Sequence, residues 1–197
     1  MAADLTKVNR TKMGATEPYF ALITQENKGT FPTYGEPEEF SELVSVTEAL
    51  EFAEGNFFSN NRRSENARVF KSGTLTYANK GLSPYVISKI YGSKLSEDGQ
   101  LTYGANDKAP RIGFGFYREM EDNGVPYFEG VYYPAVKASI EGETDNTRGD
   151  NITYSGDTTT MAIFALDDAD ASWKLTEIFA SAEEAKAWVL EKLGKTT

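Results

Sequence analysis

Apolar and polar residues alternate along much of the chain, which is the pattern of β-strands. In residues 126–141, apolar or aromatic side chains fall on both alternating faces, so this segment is predicted to be a long strand without a fully solvated side. Residues 151–166 repeat the pattern, and residues 142–150 between them are polar and predict a flexible loop or hairpin tip. A hairpin of this length has edges that can pair with another chain. The sequence therefore predicts a protein that assembles.

Further strands are predicted at residues 18–24, 40–51, 68–77, 111–118 and 173–179, although residues 40–51 could also form a helix. In the third of these, one face is expected to carry Val69, Leu75 and Tyr77, and the other Arg68, Ser72, Thr74 and Thr76. In the fourth, Gly113 and Gly115 alternate with large apolar residues, which indicates that another backbone or sheet approaches closely. The pair Asn123-Gly124 predicts a hairpin turn.

Two helices carry start and stop signals. The first has Ser83 as its N-cap, Pro84 at the first helical position and Gly92 at its end. The second begins at Ser181, which forms a capping box with Glu184. It has an apolar stripe formed by Ala185, Trp188, Val189 and Leu193. With a single apolar face, the second helix should lie on a sheet. The predicted fold class is mainly β with one or two flanking helices.

Two segments are predicted to lie outside regular structure. Residues 1–16 should form a flexible arm that is ordered only on a partner, leaving residues 17–197 as a single domain. Residues 53–66 are rich in turn formers and charge and are predicted to form a loop, yet they contain Phe57 and Phe58. Either one phenylalanine folds back onto the core or the loop docks on a neighbouring subunit. Arg62 and Arg63 are either solvated or paired with an acidic subunit surface.

Composition excludes most catalytic and metal chemistry. The 197 residues include neither cysteine nor histidine, which removes thiol catalysis, the commonest metal ligand and the commonest general base. The spacing of Asp168, Asp170 and Ser172 lacks the glycine and terminal glutamate of a calcium loop. We therefore expect a protein that is not an enzyme, with no catalytic, cofactor-binding or metal site.

No apolar run approaches the roughly 20 residues of a membrane span, and without a signal-peptide core the expected site of synthesis is a cytosol.

An ordered set of short motifs runs through nearly the whole chain. It comprises the strand at residues 19–24, Tyr34-Gly35-x-Pro37, Ala53-Glu54-Gly55, Ser72-Gly73-Thr74-Leu75-Thr76, the helix ending at Gly92, Pro110-x-x-Gly113-Phe114-Gly115-Phe116-Tyr117-Arg118, Tyr132-Tyr133-Pro134-Ala135-Val136-Lys137 and Thr158-Thr159-Thr160. This succession resembles the phi13-type major tail proteins of long-tailed bacteriophages that infect Gram-positive bacteria. None of these motifs is catalytic, so the resemblance rests on their order.

The resemblance implies a structural virion protein, a tail tube subunit with a β-sandwich or barrel-like fold. Six copies would close into a ring, and rings would stack into the tube that delivers DNA to the host. The implied partners are the tape measure protein and the tail initiator and terminator proteins, with no membrane anchor. DNA would pass through the lumen without specific binding. The protein would be assembled in the cytoplasm of the host bacterium and reside in the tail of the virion.

The net charge of −10 fits such a conduit, and it equally fits a role in solubility alone. Each cation on the wall would bind phosphate, whereas acidic and hydroxyl side chains would not. The candidates for lumen lining are Glu129, Ser139, Glu141, Asp157, Thr159, Ser72, Thr74 and Thr76; Lys137 and Arg68 lie on the same strands and fit this wall poorly. The candidates for the contact between stacked rings are Phe57, Phe58, Arg62 and Arg63, supported by the arm at residues 1–16.

The alternative is a monomeric β-sandwich module that binds carbohydrate or protein. Twelve phenylalanines and eleven tyrosines could supply its stacking surface. The two hypotheses differ in oligomeric state, because a binding module would remain monomeric at high concentration.

Overall fold

The computed structural model describes residues 5–59, 62–142 and 156–195, which form a mainly β fold with two helices. This confirms the predicted fold class. The predicted tip at residues 142–150, except Gly142, and residues 151–155 lie outside the described ranges. In chain order the elements are β1 (Thr11–Gln25), β2 (Thr33–Tyr34), β3 (Glu38–Glu39), β4 (Leu43–Ser59), β5 (Arg62–Asn79), α1 (Pro84–Tyr91), β6 (Lys94–Leu95), β7 (Leu101–Thr102), β8 (Arg111–Asp122), β9 (Val125–Ser139), β10 (Asp157–Ile163), β11 (Leu175–Phe179) and α2 (Ala182–Lys192), preceded by a 3₁₀ turn at Leu5–Lys7.

Nine of these strands form a single antiparallel sheet in the order β2-β1-β8-β9-β10-β5-β4, with β3 paired to β1 and β11 paired to β9. The sheet folds over on itself, because strands far apart in this order meet across the core. The rings of Tyr77 on β5 and Phe114 on β8, for example, lie 5.7 Å apart. The result is a β-sandwich-like architecture in which the larger hydrophobic cluster lies between the two layers.

Strand β9 connects the two layers. One of its edges pairs with β8, while the other pairs first with β11 and then with β10. Both of its faces are buried, since Tyr133 belongs to the larger cluster and Tyr132 to a second cluster beneath α2. This confirms the prediction of a strand with no wholly solvated side. Pro134, which has no N–H to donate, lies where the pairing with β8 shifts register.

Both predicted helices form where their caps indicate. The Ser83 hydroxyl accepts a hydrogen bond from the Val86 amide at 3.2 Å, and Gly92 ends α1 with φ of 73°. In α2, the Ser181 hydroxyl accepts a hydrogen bond from the Glu184 amide at 3.3 Å. Neither helix, nor any other in the described part of the chain, is long and apolar enough to span a bilayer.

Two predicted irregular segments are wrong in extent. Residues Thr11 and Lys12 already pair with β8, so the sheet begins inside the segment that was expected to be a flexible arm. Residues expected to form the aromatic loop instead continue β4 and β5, which remain paired as far as Ser59 and Arg62. The physical reason is that a two-stranded ribbon buries little on either face, so it tolerates the polar and small residues that are typical of loops.

The structure also differs from the sequence prediction in the extent of β10 and in one face of β5. Strand β10 ends at Ile163, so Phe164 lies beyond the strand in which it was placed. On β5, Val69 is 64% exposed rather than buried with Leu75. The pairing of β5 with β4 shifts register between Glu51 and Phe52, where β5 contains one extra residue. Side chains of β5 before this bulge therefore project to the opposite side of the sheet from the one that strict alternation predicts.

Candidate functional site

A broad polar surface covers one side of the layer formed by β9, β10, β5 and β4. Its side chains come from positions that face away from the larger hydrophobic cluster. We call this surface the hydroxyl face, and it consists of Ser45, Thr47, Ser72, Thr74, Thr76, Ser139, Thr158 and Thr160. All eight side chains are at least partly exposed.

The hydroxyl groups are arranged in rows because neighbouring strands pair in register. Thr47 is opposite Thr76, Thr76 is opposite Thr160, and Thr160 is opposite Ser139. Residues directly opposite in an antiparallel sheet project to the same side, with Cβ atoms about 5 Å apart. One row of four hydroxyl side chains therefore crosses four strands.

The alternate residues of the same strands explain why this layer holds its orientation. Leu75 and Tyr77 on β5 and Met161 on β10 are fully buried in the core. Because the side-chain period of a strand is two, burying these residues forces the threonines between them to face outward. A slip of one residue would bury the hydroxyl groups and expose the apolar groups.

The structure divides the predicted lumen-lining residues into two groups. Ser72, Thr74, Thr76 and Ser139 belong to the hydroxyl face, and Glu141 is exposed just beyond the end of β9. Asp157 is exposed but lies on the opposite parity of β10 from Thr158 and Thr160.

The remaining two predicted lining residues are buried, which corrects the expectation that they face open space. Glu129 is fully buried and forms ion pairs with Arg10 and Arg118. Thr159 is 1% exposed, and its hydroxyl lies 3.5 Å from the Tyr91 hydroxyl. A charged or hydroxyl side chain can occupy a core position when partners satisfy it, and the sequence pattern did not identify these partners.

The contribution of β4 to this surface was not predicted from the sequence. Ser45 and Thr47 were assigned to a strand, but their facing was not predicted. Their positions alternate with Val46, which packs against the core, so the signal was the same period-two pattern that identified the strand. Lys137 is an exposed cation beside the hydroxyl face, opposite Ala162, as its position on β9 indicated.

The layer that carries the hydroxyl face has open edges on both sides. Strand β4 pairs only with β5, so its outer edge has no strand partner among the described residues. At the other side, the pairing of β9 with β8 ends at Lys137, and the last residues of β9 have no partner on that edge within residues 5–59, 62–142 and 156–195. Open edges of this kind are available for pairing with another chain.

The hairpin formed by β4 and β5 extends beyond the rest of the sheet. Strand β10 stops pairing with β5 at Gly73, so residues 52–59 and 62–70 form a two-stranded ribbon. From here on we call this ribbon the arm; it is distinct from the N-terminal residues 1–16. At about 3.3 Å per residue, the arm is roughly 25 Å long. At its base the ring of Phe70 stacks on Trp173, with centroids 4.9 Å apart. The four predicted stacking residues, Phe57, Phe58, Arg62 and Arg63, all belong to the outer part of the arm.

No protein-family model and no curated protein matches this chain. Among the described residues, no group of three or more acidic side chains is arranged to hold a metal ion. The distinctive features of the described residues are the hydroxyl face, the open edges and the arm.

Proposed function

We propose that this protein is the subunit of a hollow tube, a bacteriophage tail tube, whose wall is built from the β9-β10-β5-β4 layer of successive copies. The observation that carries the proposal is the hydroxyl face, which lies on a layer with open edges on both sides. The resemblance of the ordered motifs to phi13-type major tail proteins supports the same function.

The chemistry of the hydroxyl face suits a channel for DNA. A wall that neutralised phosphates with lysine or arginine would release counterions and hold the DNA, with an affinity that rises steeply with the number of contacts. Hydroxyl groups remain hydrated and neutral, and the exposed cation Lys137 lies beside this surface on β9, while the exposed acidic residues Glu51 and Glu141 lie at its margins on β4 and just beyond β9. Such a wall would let a polyanion pass without binding it.

The topology of the layer suits closure across copies. Every neighbouring pair among β9, β10, β5 and β4 is antiparallel, so β9 and β4 run in opposite directions. When the β4 edge of one copy meets the β9 edge of the next, their pairing is therefore antiparallel as well. Repetition around a ring gives a closed barrel, which removes the open edges.

Electron microscopy of the purified protein tests this function. The protein would be concentrated and imaged in negative stain, and its mass in solution would be measured by light scattering. We expect rings of six copies and hollow tubes, with the mass distribution shifting to larger species as concentration rises.

A control variant separates ring formation from folding. Replacing Val46 would disturb the core, so a better choice is Thr47→Lys, because its side chain is exposed and it lies on the outer strand. Lysine on an edge strand opposes pairing with another chain and keeps the backbone donor, so we expect this variant to stay monomeric with an unchanged circular dichroism spectrum. A wild-type protein that remains monomeric at high concentration, even with tail initiator components added, would overturn the proposal and favour a monomeric binding module.

A further inference from the structure

A groove of about 700 Å³ opens at the end of the β4–β5 hairpin that is opposite the arm. Its apolar part is formed by Pro18, Phe40, Leu43 and Val86, of which Phe40 and Val86 are at most 5% exposed. The volume lies within the range of about 300–1,000 Å³ that is typical of binding sites. It is sufficient to admit large side chains of another molecule.

The groove has an excess of acidic groups along its wall. Glu39 and Glu42 both line it and are exposed. Glu42 forms an ion pair with Lys80 at 3.0 Å, whereas Glu39 has no ion-pair partner in the part of the chain that the structure describes. A third carboxylate, Glu17, is neutralised by Lys186 at 2.6 Å. A cationic group entering between Glu39 and Glu42 would meet complementary charge.

The tip of the arm carries the complementary chemistry. Arg62 and Arg63 are the first residues of β5, and they pair with Ser59 and Phe58 of β4. Two arginines and two phenylalanines are thus placed within a few residues of one another by the hairpin. Arginine and aromatic residues are also the types that dominate the binding energy of protein interfaces.

The groove and the tip lie at opposite ends of the same strand. Leu43, the first residue of β4, lines the groove, and Ser59, the last, lies at the tip. Sixteen residues of extended chain separate them by about 50 Å, so the tip of one molecule is too far away to occupy its own groove. Copies translated along β4 would instead bring the tip of one to the groove of the next.

We propose that the occupant of the groove is the arm tip of a second copy of this chain, with Arg62 and Arg63 against Glu39 and Glu42 and the phenylalanines against the apolar residues. This rests on the proposed function and deepens it, because it identifies the surface that receives the arm in the next ring. The contact is heterologous, so it repeats along an axis and generates a filament of rings.

A charge-swap experiment tests the contact. Glu39→Lys with Glu42→Lys places like charges opposite the arm tip, and Arg62→Glu with Arg63→Glu does the same from the other side. Each double variant should raise the critical concentration for tube formation at least about tenfold, since repulsion replaces two ion pairs. The variant with all four changes restores opposite charges and should recover tubes.

The matched control carries the same change of net charge elsewhere. Glu97 and Asp98 lie exposed in the β6–β7 turn, and Glu97→Lys with Asp98→Lys should assemble at the wild-type concentration. Single rings should still form in the Glu39→Lys, Glu42→Lys variant, because the ring contact uses the strand edges. If that variant forms tubes as readily as the wild type and the control do, the arm–groove contact is wrong while the tube function stands.

A disulfide cross-link provides a second measurement that does not depend on altered charge. The chain contains no cysteine, so Thr16→Cys in the groove and Ser59→Cys at the tip supply the only two thiols of each copy, and only the pairing of residue 16 with residue 59 between neighbouring copies joins groove to tip. Under oxidation, assembled protein should give a ladder of covalent multimers on a denaturing gel. The pair Thr102→Cys with Ser59→Cys serves as the control, and equal ladders from both pairs, or none from the first in tubes that form normally, would overturn the proposal.

Discussion

Glu17 occupies a backbone conformation that is unusual for a residue with a side chain. Its φ is 47°, in the left-handed region, at a register shift in the pairing of β1 with β8. Its carboxylate accepts hydrogen bonds from the hydroxyl groups of Tyr19 and Tyr117, each at 3.0 Å, and pairs with Lys186. These contacts tie β1 and β8 to helix α2 at one end of the groove, which offsets the backbone strain.

The same contacts shift the ionisation of the group. The hydrogen bond from Lys186, reinforced by those from the two tyrosines, lowers the pKa of the Glu17 carboxyl below its ordinary value of 4.5, although burial opposes the shift. Burial, together with the neighbouring carboxylate, raises the pKa of the Tyr117 hydroxyl to about 12. Because the folded pKa of Glu17 lies below the unfolded one, its contribution to stability is present above pH 4.5 and is lost as pH falls through the folded pKa.

We expect Glu17→Gln to be less stable than the wild type at pH 7 and nearly equal to it near pH 3. The difference in the free energy of unfolding, measured by urea denaturation at several pH values, should shrink only on the acidic side. Glu97→Gln, in an exposed turn, is the control and should track the wild type throughout. A difference for Glu17→Gln that stays constant down to pH 3 would show that the carboxylate does not contribute through its charge.

Helix α2 lies where three strand glycines leave room for it. A Cβ atom at Gly115 would be 2.7 Å from Val189, one at Gly113 would be 2.8 Å from Leu193, and one at Gly130 would be 2.6 Å from Trp188. The sequence indicated a close approach at the first two of these positions, but the approaching groups are a helix and Tyr34 rather than another sheet. The apolar stripe of α2 therefore packs directly on the backbone of β8 and β9.

We expect Gly130→Ala to lower the free energy of unfolding by about 1–3 kcal/mol, since overpacking forces α2 away from the sheet. Gly14→Ala in β1 is the matched control, because a Cβ atom there would have nothing within 4 Å. It should leave stability unchanged or slightly raise it. Urea denaturation followed by circular dichroism measures both. Equal stabilities for the two variants would mean that α2 does not press against Gly130.

The helices and strands differ in how well the residues within them predict their position and facing. Helix α1 follows from Ser83, Pro84 and Gly92, because caps act within a single turn. The composition of the arm, rich in charged and turn-forming residues, predicts a loop, because a two-stranded ribbon does not need the apolar residues of a buried strand. The reversal of facing at Val69 depends on a single extra residue in β5, and periodicity cannot detect such a bulge. The burial of Thr159 depends on Tyr91, which is distant in sequence, and that of Glu129 depends on Arg10, also distant, and on Arg118, which lies directly opposite it in the β8–β9 hairpin.

At the scale of the whole molecule, two electrostatic effects would oppose each other in the proposed assembly. Each copy carries a net charge of −10, so copies repel one another over long distances at low ionic strength. The proposed arm–groove contact would instead join opposite charges at close range. Salt screens both, but at different concentrations, because the Debye length falls from about 30 Å at 0.01 M to about 10 Å at 0.1 M and about 3 Å at 1 M.

We therefore expect the critical concentration for tube formation to pass through a minimum as salt is raised, near the point where the Debye length is about 10 Å. Below this range, added salt should promote assembly by screening the net charge; above it, salt should weaken the ion pairs. Sedimentation of tubes at a series of salt concentrations measures the curve. In the variant Arg62→Gln with Arg63→Gln, added salt should still lower the critical concentration at low ionic strength, because the net charge still repels. The rise at high salt should disappear, because no arginine remains at the arm tip whose ion pair salt could screen. A critical concentration that falls steadily with salt up to 1 M in the wild type would show that apolar contacts alone hold the copies together.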